Sequence, residues 1–138
     1  MRITLESDYA LRIVTELASR DTQVDAKTLA ERTQVTPKFA LKILHKLVNG
    51  GIVDSYKGKL GGYKLRLSPE DITLKMVIEL IDGPIALTKC IGDEQTCSLN
   101  SDKTSCIYHH IFHKISLDLE TKLSGITIHD VITMNYTI

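Results

Sequence analysis

The apolar positions of the chain fall into helical and strand-like runs separated by clear stop signals. In residues 7–20, SDYALRIVTELASR, Tyr9, Ala10, Ile13, Val14, Leu17 and Ala18 recur three and four apart, which predicts an amphipathic helix. A second helix is expected from Asp25, an N-cap residue type, through AKTLAERT. Four residues, QVTP, precede a third helix, where Thr36 suits the cap and Pro37 the first turn, which needs no N–H. Its apolar stripe reads Phe39, Ala40, Ile43, Leu44 and Leu47, and Gly50 and Gly51 stop it.

Two short strand-like runs follow, IVDSYK and YKLRL, joined by GKLGG, whose glycines permit the positive φ values of a hairpin connection. Helix, helix, tight turn, helix and β-hairpin predict a mainly α protein built on a winged helix-turn-helix, a fold that reads DNA through its third helix. A fourth helix is expected from Thr73 through LKMVIELI, ending at DGP. Residues 82–104 are polar and show no sustained period, a length that compact domains keep for functional loops or disorder. From about Ser105 a long helix carries Ile107, Tyr108, Ile111, Phe112, Ile115, Leu119 and Leu123 in a wide apolar band. A small domain does not need that much apolar helix for its own core, so the band predicts a two-fold homodimer that presents two recognition helices to a pseudo-palindromic duplex. A last short element, TIHDVI, takes Thr127 as its cap. The expected organisation is a DNA-binding domain over 1–81, a cysteine-bearing sensor loop over 82–104, and a dimerisation helix with its C-terminal segment over 105–138.

Charge sharpens the DNA reading. The formal net charge is zero, yet residues 1–80 carry 13 Lys+Arg against 10 Asp+Glu, and residues 81–138 carry 4 against 7. Within 36–66, Lys38, Lys42, Lys46, Lys57, Lys59, Lys64 and Arg66 face Asp54 alone. Such a segment is a phosphate-binding candidate, with Thr36, Pro37, Lys38, Lys42, Lys57 and Lys59 the expected DNA contacts. No apolar run approaches the ~20 residues of a membrane span. The opening MRITLESDYA has no secretory apolar core, so a cytoplasmic location is expected.

All three cysteines, Cys90, Cys97 and Cys106, lie in one polar stretch, KCIGDEQTCSLNSDKTSCIYHH. In a reducing compartment clustered cysteines are metal ligands or redox thiols before they are a disulfide framework. On a helix Cys106, His109 and His113 fall within about 60° of one another, opposite the apolar band. The Cys-x6-Cys and Cys-x8-Cys gaps are wider than those of a zinc ribbon. Loop thiolates converging on a helix start can enclose an iron–sulfur cluster. Unliganded surface thiols and thiols that form a disulfide on oxidation are the alternatives. A catalytic Cys106–His109 or Cys106–His110 pair lacks an orienting third group, so no enzyme and no catalytic residue is expected.

From MRITLESDYALRIV to GITIHDVI the chain resembles the IscR/NsrR-type winged-helix regulators, bacterial iron–sulfur and nitric-oxide-sensing repressors. LKILHKLVNGGIVDSYKGKLGGYKL is similar to the family's third helix and its wing ending in Gly-Gly-Tyr, and IDGP ahead of three cysteines matches as well. The resemblance implies a homodimeric regulator, a repressor by its kind, holding a 2Fe–2S or 4Fe–4S cluster on Cys90, Cys97 and Cys106. It also implies a fourth ligand: His109, three positions after Cys106 as in the IscR pattern, or Asp8, reaching the partner subunit as in the NsrR pattern. The N-terminal DYALR is the more NsrR-like and favours Asp8. Two departures stand out. The second cysteine gap is longer than the family's usual five or six residues, and KFALK replaces a start that in many relatives is neutral or acidic.

Overall fold

The computed structural model describes residues 3–92 and 105–134. Its elements are α1 (Leu5–Ala18), α2 (Ala26–Thr33), α3 (Pro37–Asn49), β1 (Val53–Tyr56), β2 (Gly62–Leu65), α4 (Leu74–Asp82), α5 (Lys89–Gly92), α6 (Ile107–Ser124) and α7 (Ile128–Thr133). Local chemistry sets most helix starts. Asp25 accepts from the Thr28 amide, Thr73 from the Met76 amide, and Thr127 shares a reciprocal capping box with Asp130. Thr36 occupies the N-cap of α3, but its side chain makes no capping bond; Pro37 follows at the first turn, as expected.

Helix α1 is the centre of the domain and packs against α2, α3, α4 and α7. Ala10, Ile13, Val14 and Leu17 from α1, Leu29 from α2, and Ala40, Ile43, Leu44 and Leu47 from α3 form one core with Val53, Ile72, Val77 and Ile128. Each large aliphatic side chain here contributes roughly 1.5–3 kcal/mol of burial. Phe39 is a correction to the expected stripe: it is 43% exposed, at the rim of the core that Ala40, Ile43, Leu44 and Leu47 fill.

The hairpin pairs Val53 with Leu65 through to Tyr56 with Gly62, antiparallel. It is tied to the helical layer by a bridge between Val24 and Tyr63, which exchange N–H···O bonds of 2.9 and 2.8 Å. Gly62 permits this approach: a Cβ there would lie 2.6 Å from the Val24 carbonyl oxygen, and φ is +151°.

Residues 82–92 are more ordered than the polar composition of this segment suggests. Ile85 is buried, the Leu87 amide donates to the Ser116 hydroxyl at 3.2 Å, and α5 packs on α6. Helix α6 also lies along α4, where Lys75 reaches Glu120 at 3.0 Å. The expected apolar band splits in two. Phe112, Leu119 and Leu123 are half-buried toward the domain, whereas Ile107, Tyr108, Ile111 and Ile115 stay 64, 68, 46 and 46% exposed. The chain then returns through α7: Ile128 is fully buried in the core, and its amide donates to the Ile72 carbonyl at 2.8 Å. No described helix is long and apolar enough to cross a membrane.

Candidate functional site

Two surfaces carry the candidate chemistry. The first is formed by α3 and the hairpin. Between α2 and α3, Gln34 takes the left-handed conformation and Val35 is buried, so the turn is short and α3 is held at a fixed angle across α2. This exposes one face of α3: Thr36, Pro37, Lys38 and Lys42 all lie open, as do Lys57 and Lys59 on the hairpin tip. All six expected DNA contacts are therefore accessible.

The charge of this surface differs from the sequence tally. Glu6, in the first turn of α1, meets Lys42 at 3.0 Å through Oε2 and Lys46 at 2.6 Å through Oε1, the latter an ion pair rather than a well-angled hydrogen bond. Contact with Lys46 first, and then Lys42, outweighs partial burial and holds the Glu6 carboxyl below its ordinary range. Arg66 pairs with Asp54 at 2.9 Å. Of the seven basic residues, Lys38, Lys57, Lys59 and Lys64 make no ion pair among the described residues.

Sequence reasoning missed an apolar component of the same surface. Phe39 and Leu41 are exposed on α3, and Leu60 at the hairpin tip is 90% exposed. Phe39 packs edge-on to Tyr9 at 6.2 Å between centroids, and the Lys42 ammonium lies 6.0 Å from its ring. Leu60, within GKLGG, lies in the stretch read from the sequence as the hairpin connection. The outward turn of Phe39 was not, since its spacing fits the buried stripe.

The second surface is the cysteine segment. Cys90 lies on α5, and its Sγ is 3.3 Å from the Thr88 hydroxyl. Cys106 is the N-cap of α6, in extended conformation, and makes no capping bond. Packing of α5 on α6 brings these two elements together. Cys97 lies outside the described residues. One turn into α6, His109 stacks on His113 with centroids 5.9 Å apart and planes 11° off parallel. His109 Nδ1 is buried without a hydrogen-bond partner among the described residues. Asp8 stands apart from this group on α1, where it pairs with Arg12 at 2.6 Å. Among the described residues no three His, Cys, Asp or Glu side chains converge as a set that could hold a metal ion. The residue types, two soft thiols on neighbouring elements and an imidazole nitrogen without a partner in the first turn of α6, are nevertheless those that an iron–sulfur site uses.

The two surfaces are linked through the end of α4. The Thr4 hydroxyl and amide both donate to the Asp82 carboxylate, the amide at 3.2 Å, while the same hydroxyl caps α1 by accepting from Ser7. Partial burial raises the Asp82 carboxyl, but the Thr4 hydrogen bonds and the Lys46 charge outweigh it and leave it below its ordinary range. Gly83, at φ +85°, then turns the chain toward Cys90.

Comparison with known proteins agrees with this architecture. A putative HTH-type transcriptional regulator of Aquifex aeolicus is 32% identical over 127 residues, 91% of this chain and 88% of the relative. The HTH-type transcriptional regulator IscR of Aliivibrio salmonicida is 28% identical over 137 residues, 98% of this chain and 79% of the relative. The solved structure of CymR, the global cysteine regulator of B. subtilis, superposes with a TM-score of 0.79 at 22% identity, covering 97% of this chain and 98% of that one. The Rrf2 family model, described as an iron-dependent transcriptional regulator, matches residues 3–134. With a winged helix-turn-helix, an open basic recognition face and a family match along nearly its whole length, the chain belongs to the Rrf2 family of DNA-binding transcription regulators.

Proposed function

We propose that this protein is a homodimeric, cytoplasmic transcription regulator, a repressor by its kind, whose operator affinity is set by an iron–sulfur cluster held on Cys90, Cys97 and Cys106. The observation that carries the reading is the meeting of α5 and α6, which sets Cys90 and Cys106 on neighbouring elements, with the orphaned Nδ1 of His109 in the first turn of α6. That nitrogen supports His109 as a fourth ligand from the same subunit. Asp8, tied to Arg12, would have to give up that pair to serve from a partner subunit. When bound, the cluster supplies an iron centre sensitive to redox state and nitric oxide.

The rest of the device is protein. Exposed Ile107, Tyr108, Ile111 and Ile115 form an apolar line along α6 that a second copy would cover, setting two α3 helices against one pseudo-palindromic duplex. Thr36, Pro37, Lys38 and Lys42 would enter the major groove and Lys57 and Lys59 would meet phosphate beside it. Any change in how Cys90 and Cys106 are tied acts on α5 and on the segment that starts at Asp82. From there the Thr4 link leads to α1, which packs on α3. A several-hundred-fold change in affinity requires only ~3–4 kcal/mol of such coupling.

A second reading, sensing by thiol oxidation or a small ligand without metal, draws support from the fold shared with CymR, a cysteine regulator. Anaerobic purification followed by a visible absorption spectrum, with iron and acid-labile sulfide assays, separates the two. Colour with stoichiometric iron and sulfide supports the cluster; colourless protein that still binds DNA supports the thiol reading.

A further inference from the structure

The Glu6 contacts with the recognition helix have no role in the function described so far. The Glu6 carboxylate lies 3.0 Å from the Lys42 ammonium, a charge that a DNA phosphate would also seek. Glu6 is poorly placed to follow that lysine toward a duplex. It sits in the first turn of α1, whose cap Thr4 is tied to Asp82, and its side chain is only 19% exposed. Lys42 is the more exposed member, with 55% of its side chain open to solvent and its ammonium lying over the Phe39 ring. Lys46, 35% exposed and 2.6 Å from Glu6 Oε1, remains as the counter-charge when Lys42 leaves.

We propose that Glu6 is a positioning residue of the DNA-binding surface: it competes with DNA phosphate for Lys42, so that binding a duplex exchanges a Glu6–Lys42 pair for a phosphate–Lys42 pair. The pair opposes binding by its own strength in the free protein. Lys38, which has no ion pair among the described residues, meets no such opposition. The inference rests on the DNA-binding reading of this surface and not on the cluster. It gives α1, and through Thr4 and Asp82 the segment leading to Cys90, a direct hold on one phosphate-binding side chain.

The test is a double-mutant cycle on a fluorescently labelled duplex of mixed sequence, read by anisotropy at low salt. Exposed ion pairs are worth up to about fivefold in an equilibrium constant. Glu6→Gln should therefore tighten binding by about that factor in the wild-type background and leave it unchanged in a Lys42→Gln background. Equal tightening in both backgrounds would mean that Glu6 merely repels DNA at a distance, and no tightening in either would also overturn the exchange. Should Glu6→Gln fail to fold, the wild-type background still decides: Lys42→Gln should lose less affinity than Lys38→Gln, and an equal or larger loss overturns the proposal. Wild-type protein with no salt-dependent retention of any duplex would refute the DNA-binding reading itself.

Discussion

Replacing Gly62 by Ala should detach the hairpin from the helical layer. The added Cβ would stand 2.6 Å from the Val24 carbonyl oxygen, 2.7 Å from its carbon and 3.0 Å from the Asp25 nitrogen, all backbone atoms with no rotamer to change. Relief requires Val24 and Tyr63 to separate, which breaks their two hydrogen bonds, worth ~1 kcal/mol each net. A φ of +151° adds backbone strain of about 1–3 kcal/mol for a residue with a side chain. The combined loss is roughly 3–5 kcal/mol, a large part of the ~5–15 kcal/mol that holds a domain together. At fixed protein concentration, thermal unfolding followed by circular dichroism should show the midpoint falling by about 10 °C or more. Gly58→Ala is the control, since its φ is +99° but nothing lies within 4 Å of the added carbon. It should show only the strain contribution, and equal destabilisation of the two variants would refute the close approach as the cause.

Three further outcomes follow from the same geometry. Ile111→Asp would place an unpaired carboxylate in the exposed line of α6 that the proposed dimer would cover, and sedimentation should show monomer or aggregate; a wild type that sediments as monomer at micromolar concentration would refute the proposed dimer. Lys59→Gln should weaken all duplexes alike and reduce the salt slope by about 0.9, whereas Lys38→Gln should change the sequence selected from a random pool. Asp82 is held below its ordinary value of 3.8, so its contribution to stability is present above that pH and lost as pH falls through the lower folded value. The stability gap between wild type and Asp82→Asn should therefore be constant at neutral pH and close in acid, as read from denaturant midpoints; a gap that persists in strong acid would contradict it.

The helix starts were legible because capping is local chemistry: Asp25, Thr73 and Thr127 each bond an amide three residues on. The hairpin was legible for the same reason, since GKLGG sits between two strand-like runs. Features that depend on distant contacts were not. Glu6 meets Lys42 across 36 residues of sequence, so the tally over 36–66 left its charge out. The bridge from Val24 to Tyr63 gives no local signal. Helix α5 emerges from a polar stretch because Leu87 is anchored on Ser116 and α5 rests on α6. Phe39 shares the spacing of the buried stripe and lies at its edge, where periodicity alone does not decide which way a side chain faces. In the cysteine segment, sequence spacing placed His109 and His113 on one face, and the structure adds the orphaned nitrogen that distinguishes His109.

The central claim is that the three cysteines act as one site. Anaerobic reconstitution of wild type and of the Cys90→Ala, Cys97→Ala and Cys106→Ala variants tests it, with the visible spectrum and bound iron and sulfide measured together. The account predicts cluster in the wild type and none in any single variant, each variant keeping wild-type helix content because neither Cys90 nor Cys106 belongs to the core. Full reconstitution of Cys97→Ala, or graded partial losses across the three, would contradict it and leave independent thiols in its place.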